Sequence, residues 1–237
     1  MVLYNEWNDK LIEEFGIDIR ELPTGGVYAD TAWMLCTLVS QPFVNRVYEA
    51  GAGLSTVIFA TMCEKLGKEL VTFEDKPVWA EKTDEYLKNR NLSHRVISTD
   101  SRIENTPEQT ESFDLAWTDG NVFWDPKRMV ASGPEDATYY GKFCHRPGGV
   151  RYHQHVLMDA VIIYDDGQDT NCLIEIRKVE REMGRDPDKM FLSNPTNRSA
   201  ERHQLVSLPY DGHPAEELIK DMGHWYPVTD ITDHRHV

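Results

Sequence analysis

The sequence predicts an α/β protein built on a doubly wound, seven-stranded and mostly parallel sheet, with one antiparallel strand and helices on both faces. Three observations predict it. Short apolar runs rich in β-branched and aromatic residues alternate with helix-period stretches from residue 46 to residue 183, the pattern of repeated strand–helix–strand units. A glycine-bearing turn, Gly51-Ala52-Gly53, follows the first of those runs directly. Two further strand-like runs, joined by the turn-rich NPTNRSAE, close the series as a hairpin.

The elements follow in order. Residues 7–15 and 28–40 carry helical apolar spacing and precede the alternating part. RVYE (46–49) reads as the first strand, and Ser55 to Leu66 as a helix ended by Gly67, a residue suited to a left-handed C-cap. ELVTFE (69–74) is the second strand, and Pro77 to Asn91 a helix with proline in its first turn, where a missing N–H costs nothing. HRVIS (94–98) and FDLAWT (113–118) are the next strands, with a short helix in 101–110. AVIIYDD (160–166), the helix Asn171 to Met183, and the strands KMFLS (189–193) and HQLVSL (203–208) complete the sheet. The expected division is an N-terminal helical segment at 1–43, a main domain at 44–210 with an insert at 121–155, and a C-terminal extension at 211–237.

Composition narrows the function. The chain has 237 residues and a formal net charge of −15. Such a surface repels phosphate backbones at long range, so a nucleic acid is not the expected partner. No apolar run is long enough to span a membrane, and the acidic N-terminus does not read as a signal peptide. A cytoplasmic location and a small-molecule partner are expected, with a homodimer left open. Cys36, Cys63, Cys144 and Cys172 form no CxxC pair and no zinc spacing, and read as reduced thiols.

Chemistry concentrates where strands end. In a doubly wound sheet ligands bind outside the carboxyl ends of the strands. Here the first strand runs into E-A-G-A-G-L-S-T, residues 49–56. Gly51 and Gly53 allow a tight turn and leave bare backbone for a ligand, and the helix starting near Leu54–Thr56 points free N–H groups toward it. The spacing departs from the dinucleotide pattern G-x-G-x-x-G, since Thr56 stands at the third position, and no P-loop lysine is present. Glu49 would repel a pyrophosphate but suits a cationic ligand with an amino group. Glu74 ends the second strand, 25 residues on, where an acid can accept from both hydroxyls of a ribose. Asp100-Ser101 ends the third strand, placed to meet an adenine edge, and Asp119-Gly120 ends the fourth.

In this order and spacing, from about residue 44 to 208, the motifs EAGAGLST, VTFED, STDS, FDLAWTDG and VIIYDDGQD resemble the class I S-adenosylmethionine-dependent methyltransferases, whose fold is Rossmann-like. The resemblance implies that Glu49, Gly51 and Gly53, with Ser55 and Thr56 at the helix start, cradle the methionine part of the cofactor. It implies that Glu74 holds the ribose and that Asp100 and Ser101 lie near the adenine. Asp119 with Asp165 and Asp166 resembles the Mg²⁺ site of metal-dependent O-methyltransferases of the catechol and macrolide-sugar types. Three acids at one rim repel one another unless a cation sits among them, and hard divalent cations take oxygen ligands. Asp165-Asp166-Gly167 is also a good turn and helix-start signal.

The pattern departs from that family in two places. Three residues after Asp119 the family has lysine or histidine as base, and this chain has Val122. Lys127, Asp125, His153 and His155 are the candidate replacements, with both histidines equally readable as the surface of a helix. The 46 residues from Asp119 to Asp165 exceed a single helical crossover, and the insert reads as a lid shaping the acceptor pocket, with Trp124 as an acceptor contact and Trp117 as strand core. Arg128, Arg146 and Arg151 could meet an anionic acceptor or be ordinary surface arginines. The leading expectation is methyl transfer to a hydroxyl of a small molecule, Mg²⁺-assisted. The alternatives are a hydroxylase-like relative with the same strand-end acids and a non-catalytic cofactor-binding module.

Overall fold

The structure, a computed structural model, describes residues 2–22, 27–74, 76–92, 95–98, 110–119, 148–165, 170–193, 204–222 and 225–227. Helices α1 (Val2–Phe15) and α2 (Ala29–Val39) precede strand β1 (Arg46–Ala50). Then come α3 (Leu54–Leu66), β2 (Glu69–Glu74), α4 (Pro77–Lys88), β3 (Arg95–Ser98) and β4 (Leu115–Thr118). After these stand α5 (Gly148–Leu157), β5 (Val161–Tyr164), α6 (Thr170–Glu182), β6 (Phe191–Ser193), β7 (Leu205–Ser207), α7 (Ala215–Asp221) and β8 (Trp225–Pro227).

Among the described residues the sheet has eight strands, in the order β3-β2-β1-β4-β5-β7-β6-β8. The first five pair in parallel. β7 runs antiparallel to both β5 and β6, as the expected closing hairpin requires. The doubly wound order is as the sequence predicts; among the described residues there is one strand more than expected, and two strands, β7 and β8, run against the parallel set where one was expected. β8 extends the sheet beyond β6, antiparallel to it. Pro227 sits in that outer strand, opposite Phe191, and edge strands are where a sheet tolerates proline.

Local chemistry explains the boundaries. Gly67 takes φ +66 just past α3, and Lys68 N reaches back to Cys63 O at 2.9 Å, closing carbonyls that the helix end leaves open. The Lys68 ammonium caps α2 from outside, donating to Val39 O at 2.5 Å and Gln41 O at 2.7 Å. Gly184 ends α6 in the same left-handed way, with φ +74 and Arg185 N donating to Glu180 O at 2.9 Å.

Side chains alternate across the sheet and build two cores. On one face Val47, Leu70, Leu115, Trp117 and Ile163 pack under α1, α2, α3 and α7. On the other, Tyr48, Phe73, Ala116, Ile162 and Tyr164 pack under α5 and α6. Cys36 and Cys63 are free and buried in the first core, where burial raises both thiols. A polar network pins the second. Tyr164 donates to Glu180 Oε1 at 2.5 Å and Ser207 donates to Glu180 Oε2. Arg185 donates to the carbonyls of Leu157, Met158 and Ala160 at 2.7, 3.0 and 2.8 Å, a cation placed at the negative end of α5.

Two expectations about the insert change. Residues from Gly148 onward are a helix of the fold, since Val150, Val156 and Leu157 of α5 belong to the second core. Arg151, a candidate for an anionic acceptor, instead ties α5 to α6 through Glu175 at 3.4 Å and Glu182 at 3.2 Å. The rest of the insert, residues 121–147 with Val122, Trp124, Asp125, Lys127, Arg128 and Arg146, lies outside the described residues, as do residues 101–109 of the helix expected at 101–110. Among the described residues no helix is long and apolar enough to cross a membrane.

Candidate functional site

The register of the parallel strands lines up their carboxyl ends. Ala50 pairs with Phe73 and with Thr118, and Thr118 pairs with Tyr164. The ladder continues one residue further: Gly51 N donates to Phe73 O at 2.8 Å, Asp119 N to Ala50 O at 2.9 Å, and Asp165 N to Thr118 O at 3.0 Å. Glu74, Gly51, Asp119 and Asp165 therefore form one transverse row. Alternation turns Glu74, Asp119 and Asp165 to the same sheet face as Trp117 and Ile163. Glu49 is on that face too, one step deeper, paired in register with Thr72 and Trp117.

At the turn, the two glycines do different work. Gly51 has φ +99, which excludes an ordinary side chain. Gly53, expected to serve the tight turn, has an extended φ of 179, and a Cβ there would meet nothing within 4 Å. What its bareness provides is open space above the start of α3. Thr56, which stands where a dinucleotide site has its third glycine, caps that helix by accepting from Gly53 N at 2.8 Å, the return half of a capping box.

Glu74 is 5% exposed. Oε2 accepts from Ala52 N at 2.7 Å and Oε1 from Lys76 N at 2.8 Å. The carboxylate thus clamps the glycine turn against the start of α4.

Glu49 is fully buried. Thr72 Oγ1 donates to its Oε2 at 2.6 Å. Oε1 has no hydrogen bond, and neither has the buried Trp117 Nε1 on the neighbouring strand. Burial pushes the Glu49 carboxyl up to about 7. The nearby hydroxyls of Ser55, Thr72 and Thr56 pull the other way, and the charge of Asp119 adds to the rise. Ser55 and Thr56, expected beside a cofactor, are buried next to this acid.

Asp165 is buried at 3% exposure, and its Oδ1 accepts from Gln204 Nε2 at 2.8 Å. Asp119 is half-buried on the next strand. Asp166, the third expected carboxylate, lies outside the described residues, and so do Asp100 and Ser101. Among the described residues no group of three or more His, Cys, Asp or Glu side chains could hold a metal. Mg²⁺ is commonly held by one or two carboxylates with water completing the shell, so Asp119 and Asp165, adjacent and in register, fit part of such a site.

The two histidines separate. His155 is exposed. His153, readable as a surface residue, is 1% exposed. It sits at a kink in α5 (φ −99, ψ 17), with Nδ1 3.1 Å from the Tyr48 hydroxyl and its ring 4.7 Å from that of Phe73. Burial, with a smaller contribution from His155, lowers it to about 4, so it is neutral at ordinary pH. It packs on the face of the sheet opposite the acidic row. Sequence spacing held the signal for its burial: Val150, His153 and Leu157 recur at helical intervals. Gln204 carried no such signal, being one amide before a three-residue strand.

No family model and no curated protein matches the chain. Solved structures do. An O-methyltransferase from Bacillus cereus in complex with SAH is 17% identical, covers 87% of this chain and 99% of its own, with a TM-score of 0.54. A methyltransferase from Pyrococcus furiosus is 17% identical over 88% of this chain and 95% of its own, TM-score 0.52. The O-methyltransferase TomG from Streptomyces achromogenes, involved in tomaymycin synthesis and solved with SAM, is 19% identical over 89% and 100%, TM-score 0.51. The chain has the Rossmann-like fold of these methyltransferases.

Proposed function

We propose that the protein is an S-adenosylmethionine-dependent methyltransferase that acts on a hydroxyl of a small molecule with the help of Mg²⁺. The observation that carries the reading is the row itself: a glycine at φ +99 followed by an open helix start, flanked in register by Glu74 on one side and by Asp119 and Asp165 on the other. O-methyltransferases among the structural neighbours, solved with SAM or SAH, support the same reading.

Bound S-adenosylmethionine would supply an electrophilic methyl group, and Mg²⁺ would favour the ionised form of the acceptor hydroxyl. The chain's own residues do the holding. The bare Gly51–Gly53 backbone lets a ligand lie close over the α3 N-terminus. Glu49 places a carboxyl beneath that turn, suited to an amino group above it. The Glu74 carboxylate, at the end of the neighbouring strand, is placed to accept from a diol. Asp119 and Asp165 offer hard oxygen donors from neighbouring strands, and so would fix an acceptor oxygen near the methyl group, where proximity supplies much of the acceleration. Within the row the described side chains include no lysine or histidine.

Calorimetric titration with S-adenosylmethionine, with and without Mg²⁺, tests the reading. Micromolar binding, followed by methyl transfer to a hydroxylated acceptor that EDTA stops, is the expected result. No binding in either condition would overturn it. Binding without turnover over a broad acceptor panel would leave a cofactor-binding module.

A further inference from the structure

We propose that Gln204 is a positioning residue: its amide fixes the Asp165 carboxylate at the rim and thereby sets the affinity of the row for a divalent cation. The inference rests on the reading of Asp119 and Asp165 as cation ligands. It adds a residue from β7, a strand outside every motif that suggested the site.

The geometry is that of a built support. Leu205 pairs with Tyr164 across the antiparallel β5–β7 ladder, so the preceding Gln204 falls opposite Asp165. Alternation puts both side chains on the face of the acidic row. They are 4% and 3% exposed, and Gln204 Nε2 donates to Asp165 Oδ1 at 2.8 Å. The opposite face of the same two strands is clamped as well. Tyr164 and Ser207 both donate to Glu180, and Arg185 Nη1 lies 3.3 Å from Ser207 Oγ. β5 and β7 are thus joined by side chains above and below the sheet, one residue from the carboxylate in question. The amide N–H holds one oxygen of the carboxylate at a defined place and brings no charge of its own to compete with a cation. Supporting hydrogen bonds of this kind are worth about 10–100-fold in metal affinity.

The test uses the full chain, with Mg²⁺ alone as titrant at constant ionic strength and S-adenosylmethionine titrated separately. Gln204→Met keeps the length of the side chain and deletes the donor. Gln204→Asn keeps the amide but leaves it a methylene short, and carries the test should the methionine variant not fold. Either is expected to weaken Mg²⁺ binding about tenfold or more while leaving S-adenosylmethionine affinity within about twofold, a split that general loosening of the fold would not produce. Asp165→Asn should lose Mg²⁺ binding. Wild-type Mg²⁺ affinity in both Gln204 variants, with Asp165→Asn defective, would overturn the role of Gln204 alone. Should the wild-type protein bind no Mg²⁺, or Asp165→Asn bind it normally, the cation reading of the row falls and this inference falls with it.

Discussion

Glu49→Gln tests the electrostatics of the site without any ligand. The carboxyl is fully buried, with one hydrogen bond from Thr72 and a second oxygen without any. Its pKa is raised from 4.5 to about 7 in the folded protein. Between those two values the folded chain holds a proton that the unfolded chain has released. Stability contributed by the neutral form is therefore fully present below about pH 4.5 and is lost as pH rises through the window to about 7. A displacement of two to three pH units at ~1.4 kcal/mol each makes the loss about 3 kcal/mol. Glutamine keeps the Thr72 contact and cannot ionise, but its amide N–H groups find no designed acceptor, which offsets about 1 kcal/mol. The variant should match or fall slightly below wild type near about pH 4.5 and exceed it by about 2 kcal/mol near about pH 8. In a domain of this size that is a rise in Tm of about 4–8 °C. Denaturant or thermal unfolding of both proteins across the window reads it directly, because pH effects of groups not coupled to Glu49 cancel in the difference. A difference that stays flat from about pH 5 to about pH 8 would refute the reasoning, and with it the raised pKa that burial gives Glu49.

Two further outcomes are expected. Glu74→Ala removes the clamp on Ala52 N and Lys76 N and the acceptor for a diol. S-adenosylmethionine affinity should fall at least about tenfold, the loss expected for one charge-assisted hydrogen bond, and unchanged affinity in calorimetry would exclude Glu74 from the ligand site. Arg185→Met strips the donors from three carbonyls at the end of α5 and from Ser207. It should cost about 3 kcal/mol in urea unfolding, and a cost below about 0.5 kcal/mol would mean that water replaces the guanidinium at once.

The part of this molecule legible from sequence is the part governed by local rules. β1, β2 and β4 read clearly because their apolar runs are bounded by turns, and α3 and α4 because Gly67 and Pro77 mark their ends. The placement of Glu49, Glu74, Asp119 and Asp165 at or near the carboxyl ends of parallel strands was legible because each follows an apolar run directly. β8 was not, since three residues containing a proline carry no pattern and gain their place only by pairing with β6. α7 buries Ala215 and Ile219 beside α1–α3, far away in sequence, and its short acidic stretch announces no partner. At α5, two glycines at its start look like a loop, and only packing against Tyr48 and Phe73 makes the segment a helix of the core. Gln204 belongs with these: its meaning lies entirely in the residue 39 positions earlier that β7 brings beside it.

The row also bears on the choice between a working site and an inert scaffold. A scaffold has no need to bury Glu49 with a bare oxygen next to an unbonded Trp117 Nε1, since each buried polar atom without a partner costs about 1–3 kcal/mol. A glutamine or a leucine at that position would remove the cost. Nor does a scaffold gain from Asp119 and Asp165 on adjacent strands of one face, where like charges raise each other's energy. Both costs are of one sign, and both are relieved by positive charge: a ligand ammonium over the β1–α3 turn for Glu49, and a divalent cation for the two aspartates. A nicotinamide dinucleotide would relieve neither, because its pyrophosphate brings more negative charge to the same turn. Under the proposed reading, this grouping of acids favours a cationic ligand over an anionic one.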